Sequence, residues 1–155
     1  MKHPLAVVAL AAALAQPASA TTFPTLTTIY IGSGVADSGT AENTGSATAF
    51  SCTNVSGVSA NLRFVILRPN GTVAGSATAT IGHGETRTTA THGTVFFFEL
   101  LAVSPGIVVR EGGVNIETTQ SAVFCTAKVV DAAAVTPNGF DLPLVRVNPH
   151  PGTVE

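Results

Sequence analysis

What most constrains this chain is a repeated pattern of short runs rich in β-branched and aromatic side chains, cut every few positions by Gly, Asn or Pro. Past the leader, no apolar stripe with the helical period lasts beyond about two turns. Residues 27–31, 47–53, 61–67, 72–81, 86–91, 95–100, 107–110, 114–118, 122–130 and 142–147 read as strands. Gly32-Ser33-Gly34 ends the first of them, and residues 34–46 form a polar, Gly-bearing loop. Pro69-Asn70-Gly71 marks a hairpin, since an Asn-Gly pair readily takes the positive φ angles of a type I′ turn. Glu111-Gly112-Gly113 reads as the tip of another. About eight to ten short strands with frequent turns predict an all-β, antiparallel β-sandwich, immunoglobulin-like in general architecture.

The first twenty residues follow a different rule. Lys2 and His3 precede an apolar run from Leu5 to Ala15, Gln16-Pro17 breaks it, and Ala18-Ser19-Ala20 offers small residues for cleavage. That is the layout of a secretory signal peptide, and the run is too short to span a bilayer. Residues 1–20 are therefore expected to be removed, leaving 21–155 as one domain with a short irregular tail around Pro149-His150-Pro151. A secreted or periplasmic location follows, and the Ala-rich leader is of the bacterial kind. No second long apolar segment follows, so no membrane insertion is expected after cleavage.

An oxidising compartment gives Cys52 and Cys125 their simplest meaning, a single disulfide. It closes a loop of about 74 residues, for which chain entropy gives roughly 4 kcal/mol. Alternation along a strand puts Phe50 with Cys52 on one face, and Val123, Cys125, Ala127 and Val129 on another. A core bridge between an early and a late strand is then expected to pin two sheets together. In spacing it resembles the inter-sheet bridge of immunoglobulin-like domains. It departs from them in having no Trp to pack on the bridge, and Val123 where a Tyr is usual.

Charge narrows the function classes. Without Lys2, six of the seven basic residues remain against nine acidic ones, a net charge of −3 with no basic cluster. Nucleic acid is not an expected partner. Only 10% of residues are charged, so a surface of Thr, Ser, Ala and Gly resists close association poorly, and self-association or a protein partner is expected. No Gly-x-Ser-x-Gly elbow occurs, and a bonded cysteine offers no thiolate, so no catalytic residues are assigned.

Two local features remain. His83, Glu85 and His92 place two imidazoles and a carboxylate within ten residues, which suits a zinc-like ion if a turn folds them together. The competing reading is that glycine-flanked histidines sit in solvated loop tips. Phe96-Phe97-Phe98 fills both faces of a strand, so it is either a central strand covered on both sides or a strand that exposes Phe97 to a partner. The expectation is an exported, non-catalytic structural or protein-interaction domain without a cofactor, as in an extracellular assembly subunit. The alternative is a periplasmic small-ligand or metal-binding module using His83, Glu85 and His92.

Overall fold

A computed structural model describes residues 25–39, 41–97, 99–103, 108–136 and 138–147. The leader at 1–20, Phe98, the Ser104-Pro105-Gly106 break and the tail from 148 lie outside these residues. Among the described residues ten strands appear: β1 (Thr27–Ser38), β2 (Ser46–Asn54), β3 (Ala60–Leu67), β4 (Val73–Ile81), β5 (Thr86–Ala90), β6 (Glu99–Ala102), β7 (Val108–Thr118), β8 (Val123–Asp131), β9 (Gly139–Leu142) and β10 (Leu144–Arg146). Among the described residues no helix is long and apolar enough to cross a membrane.

The strands form two layers, ordered β10-β1-β7-β3-β4 and β6-β5-β2-β8-β9. All pairings are antiparallel except that of β5 with the edge strand β6. The expected β-sandwich is therefore present. Its core follows from the two-residue period. In β3, Ala60, Leu62, Phe64 and Ile66 are buried while Asn61 and Arg63 face water. In β8, Val123, Cys125, Ala127 and Val129 point inward and Phe124, Thr126 and Lys128 outward. Phe50 of one sheet meets Phe64 of the other with ring centroids 5.7 Å apart, so these two rings join the layers.

Several local expectations change. The Cys52–Cys125 disulfide is present, but the two residues face each other in the β2–β8 register, with Cα atoms 4.1 Å apart. It therefore clamps two neighbouring strands of one sheet and does not pin sheet to sheet. Strand order decides this, because facing the core is a property shared by adjacent strands. This bridge belongs to an oxidising, non-cytoplasmic compartment.

β1 does not stop at Gly32 but runs on to Ser38, with register irregularities against β7 that absorb Gly34 at φ 92°. Residues 107–118 are likewise no hairpin. β7 is continuous, and the same irregularities accommodate Glu111 at φ 55°. The β3–β4 hairpin forms where expected, with a different turn: among Pro69, Asn70 and Gly71 only Gly71 has positive φ. Proline fixes a negative φ, which excludes type I′. The Gly71 N–H instead bonds the Arg68 carbonyl at 2.9 Å, as in a type I turn followed by a left-handed glycine.

At one side of the sandwich, Pro143 carries the chain from β9 in one sheet to β10 in the other. Gly32 of β1 permits this corner. A Cβ there would stand 2.8 Å from Leu144 and 2.9 Å from Leu142.

Candidate functional site

His83 and Glu85 share the turn between β4 and β5, and both are exposed. The His83 ring accepts the Gly57 N–H at 3.0 Å through Nδ1. Glu85 accepts the Gly82 N–H at 2.8 Å and lies 3.5 Å from Arg87. The Gly82 bond, reinforced by the Arg87 charge, holds the Glu85 carboxyl below the usual carboxylate range.

His92 lies beyond the other end of β5 and does not join them. This follows from β5 being extended: its residues separate the two histidines instead of folding them together. The His83 turn contacts the Asn54 end of β2, and the His92 segment bonds Thr48 near its start. Six strand residues of rise put these places roughly 20 Å apart. Among the described residues no group of three or more His, Cys, Asp or Glu side chains is arranged to hold a metal ion.

His92 has a partner that its sequence neighbourhood does not announce. Asp37 lies next to the end of β1, and its Oδ2 is 2.9 Å from His92 Nδ1, with both side chains buried. His92 Nε2 donates to the Thr44 carbonyl at 3.0 Å, and Asp37 Oδ1 accepts the Gly39 N–H at 2.6 Å. The Thr44 carbonyl only accepts, so Nε2 carries a hydrogen. A second one lies between Nδ1 and Oδ2, whichever of the two owns it.

Threonines extend this clasp. Thr48 Oγ1 accepts from Ala36 N and donates to Ala36 O, while Thr48 N donates to Thr91 Oγ1 at 3.0 Å. The Asn43 N–H reaches the Gly93 carbonyl at 2.8 Å. Together these bonds fasten β1, the crossing residues 41–45, β2 and the segment after β5. With His92 0% and Asp37 2% exposed, the pair holds the loop and presents no surface to a substrate. Sequence spacing contained no sign of it, because its members lie far apart along the chain.

Phe97 is also placed by tertiary contacts. Residues 95–97 are not a strand but bend over the outer face of the second sheet. There Phe97 packs on Ala47, Val130 and Ala132, half-buried, with Phe96 edge-on at 5.0 Å. It thereby covers Val130, whose side is otherwise the solvent face of β8. Val95 and Phe96 are more exposed than Phe97.

The remaining feature is a sheet edge. β6, β9 and β10 are edge strands of four, four and three residues. β9 is also charged, through the Asp141–Lys128 pair, and β9 and β10 meet at Pro143. Short length, charge and proline are the usual guards of an edge. β4 is the fourth edge and has none of them: it is nine residues long, Val-Ala-Gly-Ser-Ala-Thr-Ala-Thr-Ile, without charge or proline.

Its free backbone groups can be located. Thr119 N donates to Asn61 O, so odd residues of β3 turn their backbone toward β7 and even ones toward β4. Through the register, Ala77, Ala79 and Ile81 then bond β3, while Ser76, Thr78 and Thr80 turn their N–H and C=O outward. Beside this stretch runs a groove of about 480 Å³, bordered by Leu26, Asn61, Arg63, Thr78 and Thr80.

No protein-family model, curated protein or solved structure matches this chain. The residues themselves carry the functional reading.

Proposed function

We propose that the protein is an exported, non-catalytic structural or protein-interaction domain, an extracellular assembly subunit that acts in the secreted or periplasmic space. It engages another polypeptide by strand addition at β4. The observation that carries this reading is the long, uncharged edge whose backbone groups at Ser76, Thr78 and Thr80 turn away from β3. An incoming extended segment satisfies those groups with main-chain hydrogen bonds, which gives affinity, while the flanking groove selects side chains. Closure of the Asp37–His92 pair supports a non-catalytic role, since its acid–base groups serve the fold.

Thr78→Pro tests the reading. It removes an outward N–H and leaves the bonds to β3, a placement that edge strands tolerate. A short, alternating Thr/Val peptide is expected to bind the native protein and to lose at least about tenfold in affinity for the variant, as one bond and the strand geometry are lost together. Equal binding by the two proteins would remove β4 as the docking edge. A thermal melt of the variant confirms that it is folded.

A further inference from the structure

We infer that the occupant of β4 is a second copy of β4, antiparallel, with a two-fold axis passing beside Thr78. This rests on the strand-addition reading above and names its partner. Read outward from Thr78, the strand is nearly its own mirror. Ala77 matches Ala79, and Ser76 matches Thr80. An antiparallel two-fold pair therefore sets Thr78 against Thr78 and Ser76 against Thr80 on the solvent face. Ala77 stands against Ala79 on the core face, where both are already buried. A closed two-fold contact sets the same patch of both copies face to face, so the patch must be complementary to itself, as this one is.

The stretch with outward-turned backbone groups coincides with the near-mirror stretch. Ser76, Thr78 and Thr80 supply the N–H and C=O groups, and each matched pair exchanges both of its bonds. Further along, Ala74 is engaged within the chain, so the contact ends there.

The chain already uses the same side-chain chemistry between its own strands. Ser51 and Thr88 share a hydroxyl bond of 2.9 Å across β2 and β5, and Thr53 and Thr86 one of 2.7 Å. Hydroxyl pairs across β4 and its copy repeat that ladder.

Electrostatics favours a copy over a charged partner. β4 has no charge of its own, and Arg63, which lies beside Thr78 in the register, is neutralised by Glu117. No like charges therefore confront each other across the axis. The joined product is one continuous sheet with five strands from each copy. A contact of this length falls at the small end of specific interfaces, so the dimer is reversible and concentration-dependent.

Sedimentation of the full exported chain over a concentration series, with Thr78→Lys and Thr78→Asp, tests this. The native protein is expected to pass from monomer to dimer. Each variant alone is expected to need at least about tenfold higher concentration, because like charges then meet on the axis. Mixing the two variants in equal amounts is expected to restore the dimer, since Lys then faces Asp.

A native protein that stays monomeric overturns the inference. So do single variants that dimerise as the native chain does, or a mixture that stays monomeric. The alternating peptide separates the two levels of failure. A monomer that binds the peptide has an edge meant for another protein, and the strand-addition reading survives. A monomer that ignores it has lost both.

Discussion

His83 and His92 flank the same short strand, and each is followed by glycine, yet the fold treats them oppositely. His83 stands in water at the β4–β5 turn with one backbone bond to Gly57. His92 is sealed at the other end of β5 with both ring nitrogens bonded, one to Asp37 and one to the Thr44 carbonyl. The difference lies in what arrives from elsewhere. A histidine is neutral in meaning until its surroundings supply acceptors. At His92 those come from Asp37 at the β1 end and from Thr44 in the crossing residues 41–45. At His83 only another exposed loop is near. Burial, and not local motif, therefore separates a structural histidine from a solvated one.

The largest expected effect is at the sealed ring. His92→Ala takes the ring partner from the buried Asp37 Oδ2 and one donor from the Thr44 carbonyl. Removing one member of such a pair costs about 3–5 kcal/mol. Urea titration followed by circular dichroism measures this, and a loss below about 1 kcal/mol would show that the clasp is not a stability element.

Asp37→Asn sharpens the same contrast. An amide can keep Oδ1 on the Gly39 N–H and donate from Nδ2 to the ring, while Nε2 still serves Thr44. Every bond then survives in neutral form, so the expected cost is smaller, about 1–2 kcal/mol in the same titration. A cost equal to that of His92→Ala would mean that the charge on Asp37 matters more than its bonds.

Around the open histidine the effects shrink. Glu85 is held below the usual carboxylate range, so its stabilising contribution is present above the ordinary carboxylate pKa and is lost as pH falls through its lowered value. The stability difference between the native protein and Glu85→Gln should therefore be present at neutral pH and fade on acidification. Melting temperatures across an acid series read this, and a difference that persists to the lowest pH would contradict it. His83→Ala is expected to change stability by no more than about 0.5 kcal/mol, and a larger loss would show that the 82–85 turn is a fixed part of the fold.

Much of the architecture was legible because strand periodicity is local. Ala60, Leu62, Phe64 and Ile66 announce an inward face through alternation alone, and so do Val123 to Val129. Turn chemistry placed the β3–β4 hairpin at Asn70-Gly71, although Pro69 changed its type. Breaks were less legible. Gly32-Ser33-Gly34 and Glu111-Gly112-Gly113 look like turns, but in the pair β1–β7 they are register irregularities inside continuous strands. The apolar run that begins at Val95 and Phe96 misled for a related reason: at Phe97 the chain bends over the outer face of the sheet that holds β5 and β6, and the alternation of faces no longer applies.

Sequence alone determined that this protein is made of strands, that its cysteines have one partner each, and which residues of a strand share a face. Those properties depend on side-chain chemistry and on the two-residue period, both readable within a few positions. Tertiary structure decided everything that depends on which strand lies beside which. It placed Cys52 and Cys125 on neighbours in one sheet, brought Asp37 to His92 across the crossing loop, and kept His83 away from both. It also left β4, and no other long strand among the described residues, at an edge with one side unshared. Strand order is set by contacts between residues distant along the chain, and no local pattern encodes it.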